Sequence, residues 1–416
     1  MGMHPMSLKL LICTNETLGL GHLRRALRTS AFLQAGLPDL STLLLTGSSM
    51  NHGFPLPPNV DTIKLPSLLK KSRREYTSKH LPLPFEEVKR LRERIILETA
   101  LAYEPHLFLV DHRPVGVGGE LLPTLRALNE GQPKAVSVML FRDIIVEPER
   151  IKAQWQELQA VGALEELYDE IWVCGCQSLF DPIKEYELSD SIAKKIRFCG
   201  YLGVERPVAS TQETRHDLET AGKMFVLVTV GNGRDGFPVL DAYLHALEIL
   251  PKNQEIFSLL VGGPDLPEGE QQVVRKRCEE MARIRPERPV KFIEFSPQLL
   301  EYMAAADLVV SMGGYNTLVE ILTLEKRALV IPRVHLDWEQ LIRASIFERL
   351  GLIRMLHPDQ LSPERMAEAL LGALHAPAPS RQHLQAAGLD LNGLHQVKTH
   401  VLRLLGERGL VPTTSR

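Results

Sequence analysis

The sequence predicts an α/β protein of two successive halves, each a parallel sheet with helices on both faces. Three observations lead there. The chain has 416 residues, more than one ordinary core accommodates, so two domains are expected. Short apolar runs alternate with amphipathic helical patterns, which marks strands buried on both faces and joined by crossover helices. Glycine-bearing turns follow several of those runs where a helix begins, and doubly wound sheets bind their ligands at such strand ends.

In the first half, 8–14 reads as a strand, 22–35 as a helix and 41–46 as a second strand. Residues 86–102 form a helix, and the strand 106–110 ends at Asp111. Short buried strands follow at 135–141 and 171–174, with one polar helix over 149–167 between them, and 196–202 closes the half. The polar, proline-bearing stretch 205–212 has the composition of a linker. The second half restarts with the apolar run 224–230 and continues through strands at 256–261, 290–293, 308–311 and 328–331. Ala376-Pro377-Ala378-Pro379 breaks the pattern, and 395–407 forms a terminal helix. The expected domains are therefore 1–205, a linker 206–222, 223–375, and a helical segment 376–416 that crosses back to the first domain.

Composition excludes several classes. Charged residues make up 24% and hydrophobic ones 44%, ordinary for a globular enzyme. A net charge of -3 argues against bulk nucleic-acid binding. No stretch approaches the roughly 20 apolar residues of a membrane helix. The run 8–13 lacks a cleavage-site pattern and reads as a first strand. Five scattered cysteines suggest free thiols in a reducing cytoplasm. Cys174-Gly175-Cys176 has the wrong spacing for a redox pair or zinc knuckle and flanks a buried strand. Residues 64–94 hold ten Lys or Arg against four Glu. A solvated loop explains such a run best, with a patch for an acidic acceptor or the inner membrane face as the alternative.

Ser311-Met312-Gly313-Gly314-Tyr315-Asn316-Thr317-Leu318-Val319-Glu320 is the most informative segment. Adjacent glycines let backbone pass close to a bulky anion, and the helix that follows offers free amides and a positive dipole end. Glu320 lies one turn in, within reach of a sugar attached to that anion. Gly231-Asn232-Gly233-Arg234-Asp235-Gly236 could cradle a phosphate through successive amides, although turn residues of this kind also make plain βα loops. Gly19-Leu20-Gly21-His22-Leu23-Arg24-Arg25 sets one imidazole and two guanidinium groups at a third strand end. His22 has the chemistry of a general base near neutral pH, and Arg24 and Arg25 that of phosphate partners. Glu339 and Gln340, which follow Pro332, can hydrogen-bond sugar hydroxyls, though an acidic first helical turn is common for dipole reasons alone. Asp111 could help bind an acceptor or simply cap a helix.

On these motifs the chain resembles the GT-B nucleotide-sugar glycosyltransferases, family 28 in particular, the group that includes the enzyme making the lipid-linked disaccharide of peptidoglycan. The strongest part runs from Phe295 through Gln340. The resemblance implies two Rossmann-like domains facing across a cleft, with a nucleoside-diphosphate sugar, UDP-linked, as donor partner. It implies that Gly231, Asn232, Gly233, Arg234, Gly313, Gly314, Tyr315, Asn316 and Thr317 hold the diphosphate and Glu320 the ribose. It further implies that Phe295 borders the base and that Glu339 and Gln340 contact the transferred sugar. His22 is then the general base, with Gly19, Gly21, Arg24, Arg25 and Asp111 on the acceptor side. Neither cofactor nor metal is expected, because helix dipole and arginine supply the charge stabilisation. The Gly-x-Gly-His element also resembles nucleotide-sugar hydrolases of sialic-acid-like pathways, which leaves hydrolysis as one alternative and a non-catalytic nucleotide-sugar-binding regulator as another. The acceptor is open: the expanded glycine run of the lipid-acceptor enzymes is reduced here.

Overall fold

The computed structural model describes residues 8–14, 20–48, 53–72, 75–131, 134–205, 211–220, 222–335 and 337–412. They fall into two compact units, 1–202 with 390–416, and 203–389. The described residues form fifteen strands: β1 Leu8–Cys13, β2 Leu40–Thr46, β3 Val60–Lys64, β4 Leu68–Lys70, β5 Tyr76–Ser78, β6 Leu107–Asp111, β7 Val136–Arg142, β8 Glu170–Cys174 and β9 Ile196–Phe198, then β10 Met224–Thr229, β11 Ile256–Val261, β12 Val290–Ile293, β13 Leu308–Ser311, β14 Arg327–Val330 and β15 Arg354–Met355.

The first unit holds a parallel sheet in the order β3-β2-β1-β6-β7-β8-β9. The second holds a parallel sheet in the order β12-β11-β10-β13-β14-β15. In each, the winding reverses beside the first strand, between β1 and β6 and between β10 and β13. Strands such as β6, β8 and β11 are buried along their whole length, as sheets covered on both faces require.

Several local expectations are corrected. The helix expected over 149–167 is two helices, Pro148–Glu157 and Ala160–Glu166, because Gln159 takes a left-handed φ of 55° that no α-helix continues through. The strand expected over 196–202 is only Ile196–Phe198. The stretch read as a linker carries the helix Thr211–Asp217, held by Arg215, which donates to Asp307 at 2.6 Å. The basic run 64–94 is not a solvated loop. It contains the antiparallel pair β4–β5 and much of the helix Phe85–Tyr103. Lys70 and Arg92 in it are buried, and Arg92 donates to Glu120 at 3.2 Å and to the Pro66 carbonyl at 2.8 Å.

The last helix, Gly393–Glu407, belongs to the first unit. Phe32 of the helix Gly21–Gly36 meets His395 edge-on, and Arg403 donates to Glu170 at 2.7 Å. Glu170 is thereby explained as a buried carboxylate inside β8, since Trp172 also donates to it at 2.8 Å. The chain re-enters this unit at Asp390, whose amide donates to the Cys176 sulfur at 3.2 Å. The helix Arg381–Ala386 just before remains with the second unit.

In the second unit one buried arginine closes a helix end. The last carbonyls of a helix have no partner of their own. Arg288, fully buried, donates to the carbonyls of Leu247 at 2.5 Å, Leu250 at 3.1 Å and Gln254 at 3.1 Å, and to that of Pro251. Leu247 lies in the last turn of the helix Phe237–Ile249. Arg288→Met keeps the apolar stem but strands those carbonyls, and urea denaturation is expected to show a loss of about 3 kcal/mol or more.

Candidate functional site

Sheet register brings the motifs to one edge within each unit. In the second, Thr229 pairs with Val261 on one side and Ser311 on the other, Ser311 pairs with Val330, and Val261 with Ile293. The turns that begin two residues beyond each strand, at Gly231, Gly263, Phe295, Gly313 and Pro332, therefore lie level with one another. The reversal between β10 and β13 sets the 231–236 loop directly beside the Gly313-Gly314 turn, the position where doubly wound sheets take ligands.

The glycines there divide into two kinds. Gly233 has φ 91° and a Cβ on it would lie 2.2 Å from the Gly262 carbonyl, while one on Gly236 would strike Val230 at 2.4 Å. Those two are demanded by packing. Gly231 has φ 70° with open space where a Cβ would be, and a Cβ on Gly314 would touch only Thr317 Oγ1 at 4.0 Å. Gly314 is also the N-cap of the helix Tyr315–Thr323, without a side-chain cap of its own. Open backbone at the N-terminus of a helix suits an anion.

Other expected residues sit differently. Tyr315 is buried beneath the Arg343 guanidinium, 5.5 Å from its ring centre, and Arg343 also donates to the Gly313 carbonyl at 3.4 Å. Asn316 is buried and Thr317 half-buried. Glu320, expected to reach a ribose, is fully buried instead, because this helix packs on nearly every face. Asn232 is buried and donates to Asp265 at 3.1 Å, so its side chain shapes the loop. Arg234 is exposed. Phe295 is half-buried just past β12, and Glu339 is half-buried at the start of the helix Glu339–Arg349. Gln340 is buried, and its Oε1 accepts from the Arg333 amide at 3.1 Å, which commits one end of the amide group expected for a sugar. Arg333 itself, which sequence reasoning passed over, donates to both oxygens of Asp235 at 2.5 Å.

In the first unit the reversal between β1 and β6 brings His22 and Asp111 together. His22 opens the helix Gly21–Gly36 and Asp111 ends β6, and His22 Nδ1 lies 2.6 Å from Asp111 Oδ2. Arg25, one turn further along the helix, is buried and donates to Asp111 Oδ1. This corrects two expectations. Arg25 is spent on an internal ion pair and does not face a phosphate, and Asp111 sits buried behind His22 rather than presenting itself to an acceptor. Arg24 and Gly21 are half-exposed beside them, and Gly19 lies outside the described residues.

Burial by itself would raise the Asp111 pKa, but the Arg25 guanidinium and His22 more than offset it and hold the carboxyl at about 2. An ionised Asp111 can only accept, so His22 Nδ1 donates to it and Nε2 is the ring nitrogen turned away from the carboxylate. The 3.2 Å approach of Arg25 Nη2 to the same Nδ1 is then a close contact, since a ring nitrogen that donates its proton to Asp111 has no lone pair with which to accept. This is the arrangement of a general base with a carboxylate behind it. His112, φ 70°, packs its ring 5.4 Å from that of His22. Burial first, and then the charges of Arg142 and its neighbours, push His112 well below the usual histidine range. Its Nε2 accepts from Arg142 at 2.8 Å, so it stands as a neutral ring beside His22. Among the described residues no cluster of three or more His, Cys, Asp or Glu is placed to hold a metal ion.

Comparisons with known proteins converge on this architecture. Residues 225–395 match the glycosyltransferase family 28 C-terminal domain. The UDP-N-acetylglucosamine--N-acetylmuramyl-(pentapeptide) pyrophosphoryl-undecaprenol N-acetylglucosamine transferase of Brucella anthropi is 27% identical over 188 residues, covering 44% of this chain and 48% of that protein. An uncharacterised glycosyltransferase of Methanopyrus kandleri is 22% identical over 165 residues, covering 40% and 42%. The chain thus spans about half the length of the curated relatives it matches. Over nearly the whole chain the fold is similar to that of a transferase from Siraitia grosvenorii in complex with UDP (TM-score 0.61, 14% identity, 96% of this chain and 100% of that one). It is also similar to that of the calicheamicin glycosyltransferase CalG4 (0.58, 16%, 96% and 99%). These matches define the class, a protein of GT-B fold with two Rossmann-like units. Within that class the chain is family 28-like, with the likeness concentrated in its second unit.

Two predictions follow from the geometry. Asp111 has a depressed pKa, so its contribution to stability is present above about pH 4 and lost as pH falls towards 2. Asp111→Asn removes that acid-side dependence and takes the Asp111 charge away from the buried Arg25. Equilibrium unfolding at pH 7 is expected to show a loss of about 3 kcal/mol, largely recovered when Arg25→Met is added. Gly314→Ala suits the local φ of -59° and meets no neighbour, so its cost to the helix cap is about 1 kcal/mol or less. Its methyl group occupies the open side of the turn, and thermal denaturation is expected to show little change in Tm.

Proposed function

We propose that this chain is a glycosyltransferase that moves a sugar from a nucleoside-diphosphate donor, UDP-linked, to an acceptor hydroxyl. The observation that carries the reading is that the family 28 match falls across both glycine turns at the reversal of the second sheet. In this reading the open amides at Gly231 and Gly314, the helix that starts at Tyr315 and the exposed Arg234 hold the donor diphosphate. Phe295 borders the base, and Glu339 meets the transferred sugar.

His22 Nε2 takes the proton of the acceptor hydroxyl as its oxygen bonds to the anomeric carbon. The bond from that carbon to the diphosphate oxygen breaks, and the nucleoside diphosphate leaves with the electron pair. Amides and a helix dipole aimed at the developing charge stabilise it without reorganising, and such fixed donors are commonly worth ~3 kcal/mol each. Asp111 holds His22 in the reactive tautomer and balances the imidazolium that forms. The scheme needs no metal, so turnover should persist in excess chelator. Similar proteins are named for two different acceptor classes, an undecaprenol-linked muramyl peptide and the small molecule indoxyl.

The test is a thermal-shift screen against nucleoside diphosphates followed by product analysis with the sugar donor that binds. Stabilisation by UDP is expected, since ligand binding raises stability as RT ln(1 + [L]/Kd). His22→Ala should lower kcat by about 100-fold or more with the donor Kd unchanged. Free sugar released at full rate in the absence of any acceptor would show that water is the nucleophile and the chain a hydrolase.

A further inference from the structure

We propose that Arg333 is the positioning residue of the donor-diphosphate loop, acting through Asp235; the inference rests on the donor reading above. Arg333 leaves the end of β14, and the fork formed by its Nε and Nη2 grips both oxygens of Asp235 at 2.5 Å. The same Nη2 reaches Asn232 Oδ1 at 3.3 Å. Asn232 Nδ2 donates to Asp265 at 3.1 Å, and the Asp265 amide returns a bond to the Asn232 carbonyl at 2.7 Å. On its backbone side the Arg333 amide donates to Gln340 Oε1 at 3.1 Å. One residue therefore ties together the loops that follow β10, β11 and β14 and the helix Glu339–Arg349.

Two physical consequences follow. The first is shape. Gly231 and Gly233 both have positive φ, so the 231–236 loop has little intrinsic preference for the conformation that turns its amides to one side. The fork supplies that restraint, and its planar bidentate geometry is one that lysine cannot reproduce. The second is charge. Asp235 belongs to the loop meant to receive a diphosphate, and a bare carboxylate there would repel it. Arg333 masks that carboxylate, leaving backbone amides as the groups the anion meets. Because its fork is already engaged, Arg333 acts on the ligand through the loop and not by touching it.

The experiment uses the full chain carrying Arg333→Gln, Arg333→Lys, Asp235→Asn and the Arg333→Gln/Asp235→Asn pair. It has two readouts, hydrogen exchange of the 230–236 amides without ligand and UDP affinity by calorimetry. Arg333→Gln is expected to speed exchange in that loop at least tenfold and to weaken UDP at least tenfold. Arg333→Lys should match it in exchange. Adding Asp235→Asn should restore UDP affinity threefold or more while exchange stays fast, because the bare carboxylate is gone but the loop is still untied. Asp235→Asn alone keeps the cation and gives the same exchange signature should Arg333→Gln fail to fold. Unchanged exchange in Arg333→Gln or, if that variant does not fold, in Asp235→Asn overturns the proposal. So does a UDP loss that Asp235→Asn does not relieve, which would make Arg333 a direct phosphate contact. A wild-type chain that binds none of UDP, ADP, GDP or CDP overturns the donor reading itself, and that result differs from a wild type that binds while its variants are unaffected.

Discussion

The reversal of winding beside the first strand of each sheet is the constraint on which the rest depends. A parallel sheet must send every connection back across a face, and the only place where two neighbouring strands hand their chains to opposite faces is the point of reversal. Between β1 and β6 that leaves the turn at His22 next to the end at Asp111. Between β10 and β13 it leaves the 231–236 loop next to Gly313. No side-chain chemistry creates these neighbours. Strand order does, and the polar residues then exploit it.

Those polar residues could not stand at the edge of a buried sheet without partners, and arginine provides them repeatedly. Arg25 neutralises Asp111, Arg92 pairs with Glu120, Arg288 closes a helix end and Arg343 supports the Gly313 carbonyl, all from buried positions. A guanidinium group suits this work because it spreads one charge over five donors in a plane and can meet several oxygens at once. The Arg92–Glu120 pair shows the effect on the loop near the first reversal. Glu120 accepts from the Gly118 amide at 2.8 Å while Arg92 holds the Pro66 carbonyl, so two loops are fixed through one ion pair.

The fold class was readable because its strands are apolar along their whole length and separated by helices of ordinary period. What the sequence hid was short, edge-lying or charged. β3 alternates Val60-Asp61-Thr62-Ile63-Lys64 at a sheet edge, and β15 has two residues. The pair β4–β5 lies inside a lysine-rich stretch that local composition assigns to solvent. The candidate site was readable residue by residue but not as an arrangement. His22 and Asp111 each stand out as a polar residue at a strand end, yet their hydrogen bond joins positions 89 residues apart. The Arg333–Asp235 contact spans 98 residues, and nothing in Pro332-Arg333-Val334 signals it. Charged residues look solvated until the distant partner that buries them is known, which is why Arg25 was misplaced and Arg333 missed.

The return of the chain at Asp390 carries a consequence for the order in which the protein can assemble. The second unit is one uninterrupted piece, 203–389, which lies in sequence between the two pieces of the first. A domain folds as a unit once its residues are present, and during synthesis the N-terminal part is normally available first. Here that order is inverted. The second unit has all its residues while the first still lacks the helix Gly393–Glu407, the same helix that meets Phe32 on the segment bearing His22. The element that carries the proposed base therefore waits for residues made after the whole of the second unit, so the earlier of the two units to be started is the later to be finished.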